Sequence, residues 1–177
     1  TGPIADDGYV IARRDGGTAV VGAGERGLLT GLFALLRTPA DAELVREAPV
    51  RATRMLDHWD NIGPPPVMGT VERGYAGDSL FFDEHGVRPD LSRIDAYARL
   101  LASVGISAIA INNVNVHARE ARLLTDDLGD VARVADVLRP WGIRLHLSVS
   151  FAAPILLGGL STSDPLDAEV QAWWRTA

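Results

Sequence analysis

The chain has 177 residues, 47% of them hydrophobic and 23% charged, within the range of folded globular domains and outside that of disordered or fibrous sequences. Its formal net charge is −6 and its 17 basic residues are scattered arginines, so no basic field is present to attract a phosphate backbone and nucleic acid is not an expected partner. No apolar run approaches the roughly 20 residues that cross a bilayer, and the absence of cysteine removes disulfides, thiolate zinc sites and cysteine nucleophiles.

In chain order, two short apolar runs at residues 9–12 and 18–21 flank the turn-forming Asp15-Gly16-Gly17, which predicts a β-hairpin. Residues 25–36 then predict a helix with Leu28, Leu29, Leu32, Leu35 and Leu36 on one face, closed by Pro39. Residues 38–53 carry Pro39 and Pro49 and no sustained period; they are expected to be a linker, with residues 41–46 as a brief helical stretch.

A different rhythm follows. Residues 54–57 predict a strand, and Asp90 is the expected N-cap of a helix over 91–104 that stops at Gly105. Residues 106–112 predict a second strand, 130–139 a helix ended by Pro140 and Gly142, 143–151 a third strand, and Asp167 the start of a further helix. Strands that alternate with helices imply a parallel sheet, because parallel neighbours need a crossover and a helix is the usual one. In the third strand Leu145, Leu147 and Val149 share one face while His146, Ser148 and Ser150 share the other, as expected of a strand with helices outside and a functional interior. Long segments follow each strand, at 59–88, 113–128 and 152–164, which is where a (β/α)₈ barrel builds its active site. The expected fold is therefore α/β: residues 1–50 as the end of a small α/β domain with its linker, and residues 51–177 as the first three βα units of a (β/α)₈ barrel. A complete barrel takes roughly 250 residues. Thr1 in place of Met, and a helical pattern that runs to Ala177 without a stop signal, predict that both ends are cut.

Among residues with chemistry, Trp59 is placed either to stack on a sugar ring or to anchor a packed loop. Asp60, Asn61, Asn112, Asn113 and Asn115 are short polar groups just past strand ends, suited equally to bonding sugar hydroxyls and to capping loops. Glu72 and Arg73 are expected to form an ion pair or loop brace that shapes the mouth of the site. Asp57, Asp60 and Glu72 are not assigned as a catalytic pair, since ion-pair networks perturb carboxylates as well. His58, His117 and His146 match no metal-ligand spacing, so no metal site is expected and they are taken as hydrogen-bonded interior or loop histidines. Trp141, Trp173 and Trp174 are expected in the core. The rival motif is Gly22-Ala23-Gly24-Glu25-Arg26-Gly27, a formal G-x-G-x-x-G able to hold a pyrophosphate at a helix N-terminus. The acidic strand end that should follow about 20 residues later is missing.

Five blocks decide between these alternatives: His58-Trp59-Asp60-Asn61; Glu72-Arg73-Gly74-Tyr75-Ala76-Gly77-Asp78-Ser79; Ile111-Asn112-Asn113-Val114-Asn115; Arg139-Pro140-Trp141-Gly142-Ile143; and Asp164-Pro165-Leu166-Asp167 with Trp173-Trp174. In this order they resemble the α-glucuronidases of glycoside hydrolase family 67, over essentially the whole chain. The proline-rich residues 62–69 depart from the family pattern, as do Leu80-Phe81-Phe82, where some members carry a tryptophan. The resemblance implies removal of (4-O-methyl-)glucuronic acid from xylo-oligosaccharides by inverting hydrolysis, without metal or organic cofactor. It makes Trp59, Asp60, Asn61, Glu72, Arg73, Asn112, Asn113 and Asn115 the candidate substrate contacts. It also implies catalytic carboxylates on later barrel strands, past Ala177, so this chain alone is expected to be inactive or to act only as a noncatalytic carbohydrate-binding remnant. A homodimer is the assembly considered for the intact enzyme, and a bacterial cytoplasm the expected location, with secretion left open.

Overall fold

The computed structural model describes residues 2–58, 60, 62, 79–111 and 118–177. Strands β1 (Tyr9–Arg14) and β2 (Gly17–Gly22) pair antiparallel through a two-residue turn in which Asp15 has φ 50° and Gly16 φ 79°. Positive φ at both central positions is what a turn matching the twist of a hairpin needs, and Asp-Gly supplies it at low strain. Helix α1 (Glu25–Leu35) packs on this sheet, but not through the expected leucine face. Its buried residues are Gly27, Gly31 and Ala34, while Leu28, Leu32 and Leu36 are 41%, 47% and 81% exposed.

The reason for that reversal is distance. A Cβ on Gly31 would lie 2.8 Å from Val20 Cγ1 and 2.9 Å from Tyr9 Cβ, and one on Gly27 would lie 2.4 Å from the Gly8 carbonyl oxygen. The helix backbone sits so close to the hairpin that the small-residue face fits against it, with Leu35 packed at its side, and Leu28, Leu32 and Leu36 turn outward.

The expected linker is also corrected. Leu44–Glu47 is a strand, β3, paired antiparallel with β1 so that Val45 faces Ile11 and Glu47 faces Tyr9. Residues 41–46 are therefore not helical; the partner strand, more than thirty residues away in sequence, overrides a weak local pattern. The sheet order is β2-β1-β3.

The second sheet is parallel, in the order β4 (Met55–Asp57), β7 (Ala108–Ile111), β8 (Arg144–Leu147). Between β4 and β7 lie a short antiparallel pair, β5 (Phe82–Asp83) with β6 (Gly86–Val87), and helix α2 (Ser92–Ser103). Between β7 and β8 lie α3 (Ala118–Ala121), a 3₁₀ turn at Arg122–Leu124 and α4 (Leu128–Leu138); α5 (Ala153–Leu156) and α6 (Ala168–Thr176) follow β8. Gly105 at φ 81° ends α2, and Gly142 at φ 67° ends the 3₁₀ turn at Arg139–Trp141 after α4, as expected of glycines in the left-handed conformation past a helix end. Asp90 accepts the Ser92 N–H at 2.9 Å, so α2 starts one residue later than the sequence predicts.

One core joins these pieces. Ile94, Ala98 and Leu101 of α2 and Val134 and Leu138 of α4 pack against Ile109 and Ile111 of β7, with Leu145 and Leu147 of β8 beside them. The register pairs Leu56, Ile109 and Leu145 in one row and Asp57, Ala110 and His146 in the next. Successive rows face opposite sides of a sheet. The Leu145 and Leu147 face thus lies on the helix side, and the Asp57 and His146 row lies on the other. The architecture is mixed α/β with two small three-stranded sheets.

The two sheets meet through charge and stacking. Asp7 takes the guanidinium of Arg26 at 2.5 Å and lies 3.9 Å from that of Arg54, and Phe33 packs on Trp141 with ring centroids 6.4 Å apart. Trp141 is half-buried and gives its indole N–H to Asp95 at 2.8 Å, whereas Trp174, expected in the core, is 38% exposed and meets Trp173 edge to face at 4.8 Å.

Candidate functional site

The C-terminal ends of the three parallel strands lie side by side. The His58 N–H bonds the Ala110 carbonyl at 2.9 Å and the Ser148 N–H bonds the Ile111 carbonyl at 3.0 Å, so the sheet continues one residue past both β4 and β8. In an open or closed parallel α/β sheet this end is where ligands bind, because the loops there are free of the packing that occupies the helix side.

His58 is the best-defined side chain at this end. Its Nε2 is 3.1 Å from the Tyr97 hydroxyl, and its ring is held edge-on, at 80° to each, by Phe81 at 5.1 Å and Tyr97 at 5.6 Å. Burial lowers the pKa of the imidazole below its ordinary 6.5, against an opposing pull from the Asp57 carboxylate. Burial also raises that of the Tyr97 phenol. Both groups are thus neutral near neutral pH, and the imidazole tautomer sets which of the two donates in the bond between Nε2 and the Tyr97 hydroxyl.

Two residues further on, Asp60 is 7% exposed and its Oδ2 accepts the Leu80 N–H at 3.1 Å. Ile62, 4% exposed, enters the core. The returning chain is shaped by Ser79, 5% exposed, whose Oγ accepts the N–H groups of Phe81 at 3.0 Å and Phe82 at 2.7 Å. Arg88 donates from Nε to the Ser79 carbonyl at 3.0 Å, and its own N–H bonds the Phe81 carbonyl at 2.9 Å. Phe81 and Phe82 are fully buried, so the segment in which the sequence departs from the family pattern is core rather than a sugar platform.

Beyond β7, Arg119 of α3 pairs with Asp127 and donates to the His85 carbonyl at 2.7 Å, tying α3 to the β5–β6 turn. Glu120, 2% exposed, is a buried acid here that the sequence reading did not single out; its place beside the polar run 112–115 was the available signal. After β8, Ser150 caps the following turn by accepting the Ala152 N–H at 3.1 Å.

Of the predicted substrate contacts, the structure places Asp60, at the mouth of the sheet and braced to Leu80. Trp59, Asn61, Glu72, Arg73, Asn112, Asn113 and Asn115 lie outside the described residues, as does His117. Among the described residues no three metal-ligating side chains come together, and no helix is long and apolar enough to cross a membrane.

The Gly22 to Gly27 motif has a packing role. A Cβ on Gly22 would lie 2.1 Å from the Leu28 nitrogen, and Gly27 meets the Gly8 carbonyl, so the first and third glycines let strand and helix touch. The preceding strand β2 is an edge of an antiparallel sheet and Arg26 is paired with Asp7. A dinucleotide fingerprint needs a parallel βαβ unit, which this is not.

The profile of the family described as glycosyl hydrolase family 67 middle domain matches residues 36–177. Alpha-glucuronidase A of Emericella nidulans is 43% identical over 175 residues, 97% of this chain and 20% of that protein. Alpha-glucuronidase of Hypocrea jecorina is 41% identical over 177 residues, and probable alpha-glucuronidase A of Aspergillus fumigatus 42% over 172, again 20% of each relative. The chain spans about a fifth of the length of the curated relatives it matches.

Proposed function

We propose a function from one premise: this chain belongs to glycosyl hydrolase family 67. It forms part of an α-glucuronidase that removes glucuronic acid, or its 4-O-methyl form, from xylo-oligosaccharides. The observation that carries this is the identity of about two residues in five with alpha-glucuronidases along 97% of the chain.

In this reading residues 51–177 supply about three of the eight βα units of a (β/α)₈ barrel, and residues 1–50 close the small domain before it. Three consecutive parallel strands in sequential order, with α2 and α4 on one face, support the barrel. The opposite face, with its row Asp57, Ala110 and His146, becomes the barrel interior. The strand ends at His58, Ile111 and Ser148 then open onto the substrate, and Trp59, Asp60, Asn61, Glu72, Arg73, Asn112, Asn113 and Asn115 contact the oligosaccharide.

Inverting hydrolysis needs one carboxylic acid to protonate the leaving oxygen and a carboxylate roughly 6.5–9.5 Å away to activate water. Those two acids belong to the part of the relatives that this chain does not span. The contribution of this chain is to hold and orient the sugar, and no metal or organic cofactor takes part. A nucleotide-binding role for Gly22, Gly24 and Gly27 has no supporting observation.

The test is to follow, by proton NMR, hydrolysis of a glucuronosyl xylo-oligosaccharide by the protein at its native length. The β-anomer of the uronic acid is expected first, because inversion at an α-linkage yields it. No release would overturn the function, and the α-anomer first would overturn inversion.

A further inference from the structure

We propose that His58 and Tyr97 form a positioning pair for substrate binding, with the Tyr97 hydroxyl holding the His58 ring so that the end of β4 and Asp60 beyond it are presented to the oligosaccharide in a fixed orientation. This rests on the α-glucuronidase reading above.

Among the described residues, the bond furthest along this chain to the sheet is made by the His58 N–H, to the Ala110 carbonyl. From there alternate residues are anchored: His58 by Tyr97, Asp60 by the Leu80 N–H, and Ile62 by the core. His58 is the anchor nearest the sheet, and it is held from two sides. Phe81 of the returning segment meets the ring edge-on, and so does Tyr97 of α2, so the ring is packed from two sides. The hydrogen bond at Nε2 fixes the remaining freedom, rotation about χ2, with the imidazole tautomer setting which partner donates. An imidazole fixed in this way sets the direction of the chain at Asp60.

His58 is half-buried among rings and acts through its neighbours, so it is a positioning residue rather than a catalytic one. Its loss therefore removes binding shared by ground state and transition state, which appears in KM and leaves kcat largely unchanged. One neutral hydrogen bond supports a change of about fivefold.

Tyr97→Phe and His58→Phe, made singly and together in the protein at native length, test this. Each keeps an aromatic ring in the packing and removes one partner of the bond. The expected result is a KM for the glucuronosyl xylo-oligosaccharide raised about fivefold in Tyr97→Phe, with kcat within about twofold and a melting temperature lowered by no more than the few degrees that one hydrogen bond accounts for. The double variant should be no worse than the more impaired single variant, because the two side chains act as one unit. Wild-type KM in Tyr97→Phe, or losses that add and track a falling melting temperature, would reduce the pair to ordinary packing and overturn the proposal. If the wild-type protein releases no uronic acid, the α-glucuronidase reading falls and this inference with it, whereas an active wild type with indifferent variants overturns the pair alone.

Discussion

His58 shows how much a single side chain disclosed before its surroundings were known. Its place beside a strand end, with no ligand spacing to other histidines, pointed to a hydrogen-bonded interior role, and the bond to Tyr97 bears this out. The identity of the partner was not legible, because Tyr97 lies 39 residues away on another element. Burial has a measurable consequence here. The folded-state pKa of His58 lies below 6.5, so on acidification the unfolded chain takes up the proton first. The stabilising contribution of neutral His58 is complete above pH 6.5 and is lost as pH falls toward the folded-state value. In urea unfolding followed from about pH 7 down to about pH 5, the midpoint of His58→Gln should decline less steeply than that of the wild type. Parallel declines would remove the linkage. Asp60 suited sugar contact and loop bracing equally by type and position, and its bond to Leu80 is one of those two uses without deciding against the other.

At the scale of elements, local signals served well where they were strong. Asp15-Gly16 set the hairpin, Gly105 and Gly142 ended their helices, and Asp167 caps α6 by accepting from Glu169 N–H at 2.8 Å and Val170 N–H at 3.2 Å. Asp167→Ala should lower unfolding stability by about 1 kcal/mol, with faster hydrogen exchange confined to residues 168–176. An unchanged exchange pattern would show that packing of Val170, rather than the cap, holds the helix. Local signals failed where a distant partner decided. In α1 the leucine spacing was a correct helix signal and only a partial guide to the buried face, since close contact with the hairpin buries Gly27, Gly31 and Ala34 and, of the leucines, packs Leu35 beside them. Strand β3 was missed because four residues with no marked alternation become a strand only against β1. The strand–helix contact gives a sharp test: Gly22→Ala places a methyl 2.1 Å from a backbone nitrogen that cannot move away without shifting α1. A loss of roughly 3 kcal/mol or more in denaturant unfolding is expected, and a change under about 0.5 kcal/mol would show the contact to be loose.

For the whole molecule, apolar surface left uncovered matters most. Leu28, Leu32 and Leu36 stand exposed along α1, Met55 and Leu56 along edge strand β4, and Phe151 is 88% exposed beyond β8. Expressed alone, the 177-residue chain should self-associate, since unpaired edges and apolar faces pair with one another. Light scattering that gives a monomer with a single cooperative unfolding transition would contradict this. By itself the sequence determined the alternation of strand and helix, the parallel order it implies, the division of β8 into an apolar and a polar face, and membership of the family, because each is written in periods, turn residues or blocks that neighbouring residues carry together. Only the tertiary structure decided which face of α1 is buried, that residues 44–47 complete a sheet, that the glycine motif serves packing, and that His58 and Tyr97 meet. Those outcomes depend on distances between segments far apart in the chain, and a one-dimensional pattern holds no record of such distances.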